Sequence, residues 1–380
     1  MSLLSNRDYY KPFDYPWMFD KYVEQNQMHW LPESVPLHTD VKDWQDLSDA
    51  DKNLLTQIFR LFTQSDVDVG SGYVDKYMRI FKQPEARMMM TAFANMESIH
   101  QHAYSLLLDT VGLPEIEYKA FSEYEEMANK HDYVSNFRPS RKNKKAIAKT
   151  LAVYSGFTEG LQLFSSFAIL LNFPRFGKMK GMGQIVTYSI RDESLHVEAM
   201  TQLFREFIKE NLDIWTDKFK KEIYQICREM VELEDKFLDL VFEMGDMQGL
   251  TKKDMYAYNR YIADRRLLQL GLKTNFDQRD NPLPWLDEVL GVEHQNFFEG
   301  RATAYMKAKE ANILSFRVLF DTKGNLVTEV GGLPIEYAHK VFKGTDLKII
   351  QTVIREGRQR IYDIHRDIEN ELDALNATIK

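Results

Sequence analysis

Over most of the first 270 positions, apolar residues recur at three- and four-residue spacing, the period of a helix with one buried face. The pattern predicts helices near 48–82, 85–112, 141–172, 180–208, 212–246 and 251–270. Each run ends where helix-breaking residues stand: Pro84, Leu113-Pro114, Pro174 to Gly183, and Gly245 to Gly249. Strand-like alternation is nearly absent before residue 315. After Phe320 the texture changes, and Asp321-Thr-Lys-Gly-Asn-Leu326 reads as a tight turn between two short extended pieces. From Thr345 a last helix is expected, with Leu347, Ile350, Ile354, Ile361, Ile364, Ile368, Leu372, Leu375 and Ile379 forming one apolar stripe on a charged rod. The expected fold is all-α, with a helical body over 1–320 and a C-terminal extension over 321–380. Long helices in a chain of this size make a bundle with further helices around it.

Composition limits what such a bundle does. The 380 residues suffice for a large core, and 44% hydrophobic with 28% charged residues is ordinary for a soluble globular protein. A formal net charge of −8 argues against nucleic acid as a partner, because phosphate binding needs a basic face. The longest apolar run, Leu161 to Phe173, stops at Pro174 and is too short to span a bilayer. The N-terminus carries no export signal, so a cytoplasmic location is expected, without membrane contact. The one cysteine, Cys227, excludes an internal disulfide and reads as a small core residue. Chemistry that needs several thiols must happen on another chain.

Two Glu-x-x-His pairs stand out, Glu97…His100 and Glu193…His196. Positions three apart share a helix face, so each pair offers a carboxylate and an imidazole to one metal. A lone pair is weak evidence: with nine histidines about one arises by chance, and Glu336…His339 is a third. That third pair has no companions and reads as surface. The first two have them. Asp66 lies on the apolar helix upstream of the first, and Glu159 on the apolar helix upstream of the second. A buried unpaired carboxylate is costly, and a doubly charged cation satisfies several at once. The chain order is therefore carboxylate, Glu-x-x-His, carboxylate, Glu-x-x-His on four helices, the pattern of a dinuclear site in a four-helix core. Four carboxylates and two imidazoles suit iron or manganese better than zinc, calcium or magnesium.

Tyr104 stands one turn after His100, and helical side chains lean back toward the N-terminus, which aims its phenol toward His100. A tyrosine on a core face is usually packing; beside an oxidant it is a candidate for one-electron oxidation. The segment Leu163 to Ile169 offers an apolar wall around it.

The run Asn95-Met-Glu97-Ser-Ile-His100-Gln-His-Ala-Tyr104 resembles the metal-and-tyrosine helix of class I ribonucleotide reductase small subunits. Ser189-Ile-Arg191-Asp192-Glu193-Ser-Leu-His196 is similar to their second metal helix, and Asn281-Pro-Leu-Pro-Trp285 with Asn296-Phe-Phe-Glu299 to a block near the end of their folded body. The likeness covers roughly residues 20 to 315. It implies a ferritin-like fold, a homodimer, and metal ligands at Asp66, Glu97, His100, Glu159, Glu193 and His196, holding two iron, two manganese or one of each. It further implies that Asp192 hydrogen-bonds the metal-bound His100, that Trp30 passes electrons, and that Tyr104 carries a tyrosyl radical. Such a subunit sends its oxidising equivalent to a large catalytic subunit, where ribonucleotides become deoxyribonucleotides. The family typically ends in a flexible acidic tail with a relay tyrosine. This chain continues into the amphipathic helix instead, leaving Tyr337 or Tyr362 as relay candidates. The rival readings are a ferritin-like oxidase acting on its own bound ligand, and an iron store or helical scaffold.

Overall fold

The structure, a computed structural model, describes residues 2–287 and three short strands. The chain divides into two units, Met1–His294 and Gln295–Lys380. In the second, Arg317–Phe320, Leu326–Val330 and Leu333–Pro334 pair antiparallel in that order. The first two strands stand on either side of the turn expected at 321–326, with Leu326 itself opening the second strand. The expected last helix, Tyr337, Tyr362, the Glu336…His339 pair and Asn296 to Glu299 lie outside the described residues.

Every regular element described in the first unit is a helix. In chain order these are α1 (Pro16–Gln27), α2 (His38–Asp46), α3 (Asp49–Ser71), α4 (Pro84–Val111), α5 (Glu125–Ser135), α6 (Lys144–Leu151), α7 (Phe164–Arg175), α8 (Lys180–Glu210), α9 (Asp217–Val241) and α10 (Lys252–Gln269), with shorter turns between. Local chemistry explains the ends. Ser48 caps α3 by accepting from the Asp51 amide at 3.1 Å. Pro84 opens α4, where its missing N–H costs nothing. Gly112 closes it at φ +83°, and the amides of Gly112 and Leu113 return to the Leu108 carbonyl at 3.1 and 3.0 Å. Thr251 and Asp254 form a reciprocal capping box at the start of α10.

Three features differ from the expectation. The helices α1, α2 and α5 were not evident in the apolar spacing, because they are short and their faces mix polar with apolar residues. Pro174 does not end its helix; it sits in the last turn of α7, which runs on to Arg175. The stretch expected as one helix over 141–172 is α6 and α7 joined by a π-helical segment, Ala152–Leu163, and a second π segment, Gly72–Tyr77, follows α3. The π geometry makes wider turns and is most often found at functional sites. Ala152–Leu163 carries Glu159.

The π segment is held from outside. Arg266 of α10, 7% exposed, donates through Nε to the Gly160 carbonyl at 2.6 Å. A Cβ at position 160 would meet that same Nε at 2.6 Å, so the guanidinium fits only because residue 160 is glycine. Gly160→Ala is therefore expected to lower stability by about 2 kcal/mol, read as an earlier urea midpoint at unchanged slope.

The core sits between α3, α4, the π segment, α7 and α8. Phe59, Phe62, Phe93, Phe157, Phe167 and Phe204 are essentially inaccessible there, each contributing about 2 kcal/mol of burial. No helix among the described residues is long and apolar enough to cross a membrane.

Candidate metal centre

Four elements of that core each bring one part of the site. α3 supplies Asp66, α4 supplies Glu97 and His100, the π segment supplies Glu159, and α8 supplies Glu193 and His196. None of the six is more than 1% exposed. The ligand atoms of Glu97, Glu159, Glu193 and His196 lie within 4.8 Å of one another, as do those of Asp66, Glu97 and His100. The structure thus brings together all six residues singled out by spacing.

Two of the carboxylates reach both imidazoles. Glu97 places Oε2 3.5 Å from His100 Nδ1 and Oε1 3.0 Å from His196 Nδ1. Glu193 does the same, with Oε1 3.3 Å from His100 Nδ1 and Oε2 3.4 Å from His196 Nδ1. Glu159 Oε1 lies 3.8 Å from His196 Nδ1, on one side only. Both oxygens of Glu97 and Glu193, together with Asp66 Oδ2, Glu159 Oε2 and His196 Nδ1, are buried without a hydrogen-bond partner. The ion-pair contacts just given are close in distance but not oriented as hydrogen bonds. Seven orphaned ligand atoms converging on one interior point are what a pair of cations satisfies, and the donor set fits that group.

The electrostatics agree. Burial, followed by the negative charges of Glu97 and Glu193, pushes Asp66 and Glu159 well above the ordinary carboxyl range. Burial also opposes charge on Glu97, yet its contacts with His100 and His196 outweigh that and hold it below its usual value. His196 is pushed up to about 10: burial works against its charged form, and Glu193 and Glu97 overcome it. Protons do in this cluster what cations would do better, so metal uptake should displace them.

Each imidazole turns its other nitrogen to a fixed acceptor. His100 Nε2 lies 3.3 Å from Asp192 Oδ2, and Trp30 Nε1 donates to that same oxygen at 2.9 Å. Arg191 holds Asp192 Oδ1 from Nε and a terminal nitrogen at 3.1 and 2.8 Å, and donates to the Met28 carbonyl at 2.7 Å. His196 Nε2 lies 3.0 Å from Gln25 Oε1 on α1. Gln25, 1% exposed, escaped the sequence reading because a lone glutamine 171 residues from its histidine leaves no local signal. Outer partners of this kind orient ligands. Gln25→Leu is expected to weaken metal affinity about tenfold with the number of bound ions unchanged, measured by chelator competition.

Two tyrosines border the cluster. Tyr73, in the π segment Gly72–Tyr77, donates to Glu159 Oε1 at 2.6 Å, and burial followed by the Glu159 charge pushes its phenol well above the ordinary range. It too was missed, since nothing in its spacing ties it to Glu159. Tyr104, 1% exposed, stands on α4 one turn after His100 and feels its charge. Its hydroxyl donates to Ser189 Oγ on α8 at 3.2 Å. The wall around it begins on α3: Phe62 meets the Tyr104 ring at 5.0 Å between centroids, and Phe167 backs Phe62 at 5.2 Å. The expected segment 163–169 reaches Tyr104 through Phe62. Downstream, Trp285 of the Asn-Pro-Leu-Pro-Trp block stacks under Arg175 at 4.0 Å.

Comparison with known proteins places this arrangement among relatives. The sequence pattern of the family described as ribonucleotide reductase, small chain, matches residues 7–282. A protein of Invertebrate iridescent virus 6 named Probable ribonucleoside-diphosphate reductase small subunit 376L is 46% identical over 343 residues, 80% of this chain and 95% of that one. The ribonucleoside-diphosphate reductase subunit beta of Chlamydia pneumoniae is 30% identical over 311 residues, 78% of this chain and 89% of its own. Among solved structures, the ribonucleotide reductase R2 subunit from Clostridium botulinum superimposes with a TM-score of 0.71 at 23% identity, covering 76% of this chain and 94% of that one, which shows a shared fold.

Proposed function

Since the chain belongs to the ribonucleotide reductase small chain family, we propose that its six buried ligands hold two metal ions and that Tyr104 is the residue oxidised beside them. The chain is the small subunit of a ribonucleoside-diphosphate reductase, an enzyme completed by a large subunit. The oxidase and storage readings find no support among its relatives. The observation that carries the proposal is the pair of carboxylates, Glu97 and Glu193, each with both oxygens orphaned and each facing both imidazoles.

The donor set favours iron or manganese, as two of one kind or one of each. When bound, such a pair supplies the one-electron steps by which dioxygen or another oxidant oxidises a phenol. The chain's own residues supply the rest. Asp66 and His100 serve one side and Glu159 and His196 the other, while Glu97 and Glu193 span them. Asp192 and Gln25 hold the two imidazoles with Nδ1 turned inward. Phe62 and Phe167 keep water from Tyr104, whose burial holds its hydroxyl protonated far above the usual phenol range. Trp30 is joined to His100 through the single oxygen Asp192 Oδ2, and its neighbour Leu31 is 56% exposed, so the indole links the site to the surface and is the proposed electron relay. The subunit works as a homodimer that delivers its oxidising equivalent to the large subunit.

Reconstitution with iron or manganese and an oxidant, with metals counted and electron paramagnetic resonance recorded at low temperature, tests the reading. The expected result is a tyrosyl signal that requires two ions per chain. A fully loaded pair that yields no tyrosyl signal under any oxidant would overturn it.

A further inference from the structure

Ser189 stands on α8 one turn before Glu193, is 1% exposed, and accepts the Tyr104 hydroxyl at 3.2 Å. Hydroxyl side chains inside a helix commonly spend their own proton on the carbonyl four residues back. Three others on α8 do so: Thr187 to Gly183 at 2.8 Å, Ser194 to Ile190 at 2.6 Å and Thr201 to Val197 at 2.7 Å. Ser189 does not. Among the described residues its oxygen accepts from Tyr104 and its own O–H donates to nothing. A buried donor left idle is a cost, and a serine hydroxyl is able to donate as well as accept. The idle donor lies beside a phenol that, once oxidised, has no proton left to give and only an oxygen to receive one.

We propose that Ser189 is the protein's own hydrogen-bond partner to the oxidised form of Tyr104, accepting from the phenol before oxidation and donating to the phenoxyl oxygen after it. The inference rests on Tyr104 being the residue oxidised. In that step the phenol gives up one electron and its hydroxyl proton, one each of the four electrons and four protons that reduce dioxygen to two waters. The other three electrons would come from the reduced metal pair and an external one-electron reductant, and the other three protons from solvent. Ser189 neither gains nor loses a proton; its O–H bond turns. The phenyl rings of Phe62 and Phe167 offer no competing donor on that side. A donated hydrogen bond draws electron density from the phenoxyl oxygen, so Ser189 makes the radical longer-lived and a milder oxidant. It is a positioning residue: it touches the radical and leaves the metal ligands alone.

The test uses the full chain, loaded with metal and oxidised, in ordinary and heavy water, with Ser189→Ala and Tyr104→Phe alongside and metals counted in each. High-field electron paramagnetic resonance with deuteron double resonance reads whether an exchangeable hydrogen couples to the radical. The parent is expected to show one, together with a lowered largest g component. Ser189→Ala should load metal normally, lose both features, and lose its radical roughly fivefold faster, the weight of one neutral hydrogen bond. A parent radical without exchangeable coupling, or coupling that survives in Ser189→Ala, would overturn the role of Ser189 while leaving the Tyr104 assignment standing. A tyrosyl signal that survives in Tyr104→Phe would overturn that assignment and the inference with it.

Discussion

Tyr104→Phe is expected to bind two metal ions per chain and yet, with the large subunit present, to reduce nucleotides at less than about one thousandth of the parent rate. The substitution removes one oxygen. The ring keeps its edge contact with Phe62, the six proposed ligands are untouched, and among the described residues the one hydrogen bond lost is that to Ser189. Stability should fall by no more than about 1 kcal/mol, the typical worth of a neutral hydrogen bond. A large loss of rate without loss of metal or fold then isolates the redox role of the phenol. Tyr73 does not replace it: its phenol lies on the Glu159 side and is tied to that carboxylate. Nucleotide reduction persisting above a tenth of the parent rate would sink the assignment.

Glu97→Gln should abolish tight binding of the metal pair, leaving at most one weakly held ion. The amide keeps the volume and the helix position but removes the charge and one of the two oxygens that face both imidazoles. The thermal consequence distinguishes a ligand from a structural group. In the parent, a metal present at a thousandfold excess over its dissociation constant stabilises the fold by about 4 kcal/mol, and a chelator removes that gain. The variant should melt at one temperature with or without chelator. With chelator present it should lie within about 1 kcal/mol of the parent, because removing one of four clustered buried carboxyls also relieves repulsion. Inductively coupled plasma analysis and paired melting curves decide the matter; a variant that still carries two ions would exclude Glu97 as a spanning ligand.

Much of this was legible in the chain because it is local. Glu97 with His100, and Glu193 with His196, share a helix face by the geometry of a single turn, whatever the rest of the protein does. Pro84 and Gly112 bound α4 for reasons contained in their own backbones. Asp66 and Glu159 drew notice as charges on apolar helices. Other features have no local cause. The π segment over Ala152–Leu163 reads as plain helix in its spacing, and it is supported by Arg266, 106 residues away from the carbonyl it holds. Pro174 looks like a stop, but a proline in the last turn of a helix forfeits one hydrogen bond and surrounding packing compensates.

The sequence by itself determined the helical class and singled out six candidate ligands on four helical stretches, since periodicity and the cost of buried charge are properties of short segments. The tertiary structure decided how those residues are used. It set Glu97 and Glu193 between the two imidazoles, gave His196 its Gln25, tied Tyr73 to Glu159, and joined the Tyr104 hydroxyl to Ser189. Each of these contacts joins positions 85 to 171 residues apart or depends on which oxygen of a carboxylate faces which nitrogen. Such choices follow from how whole helices pack, and helix spacing carries no record of them.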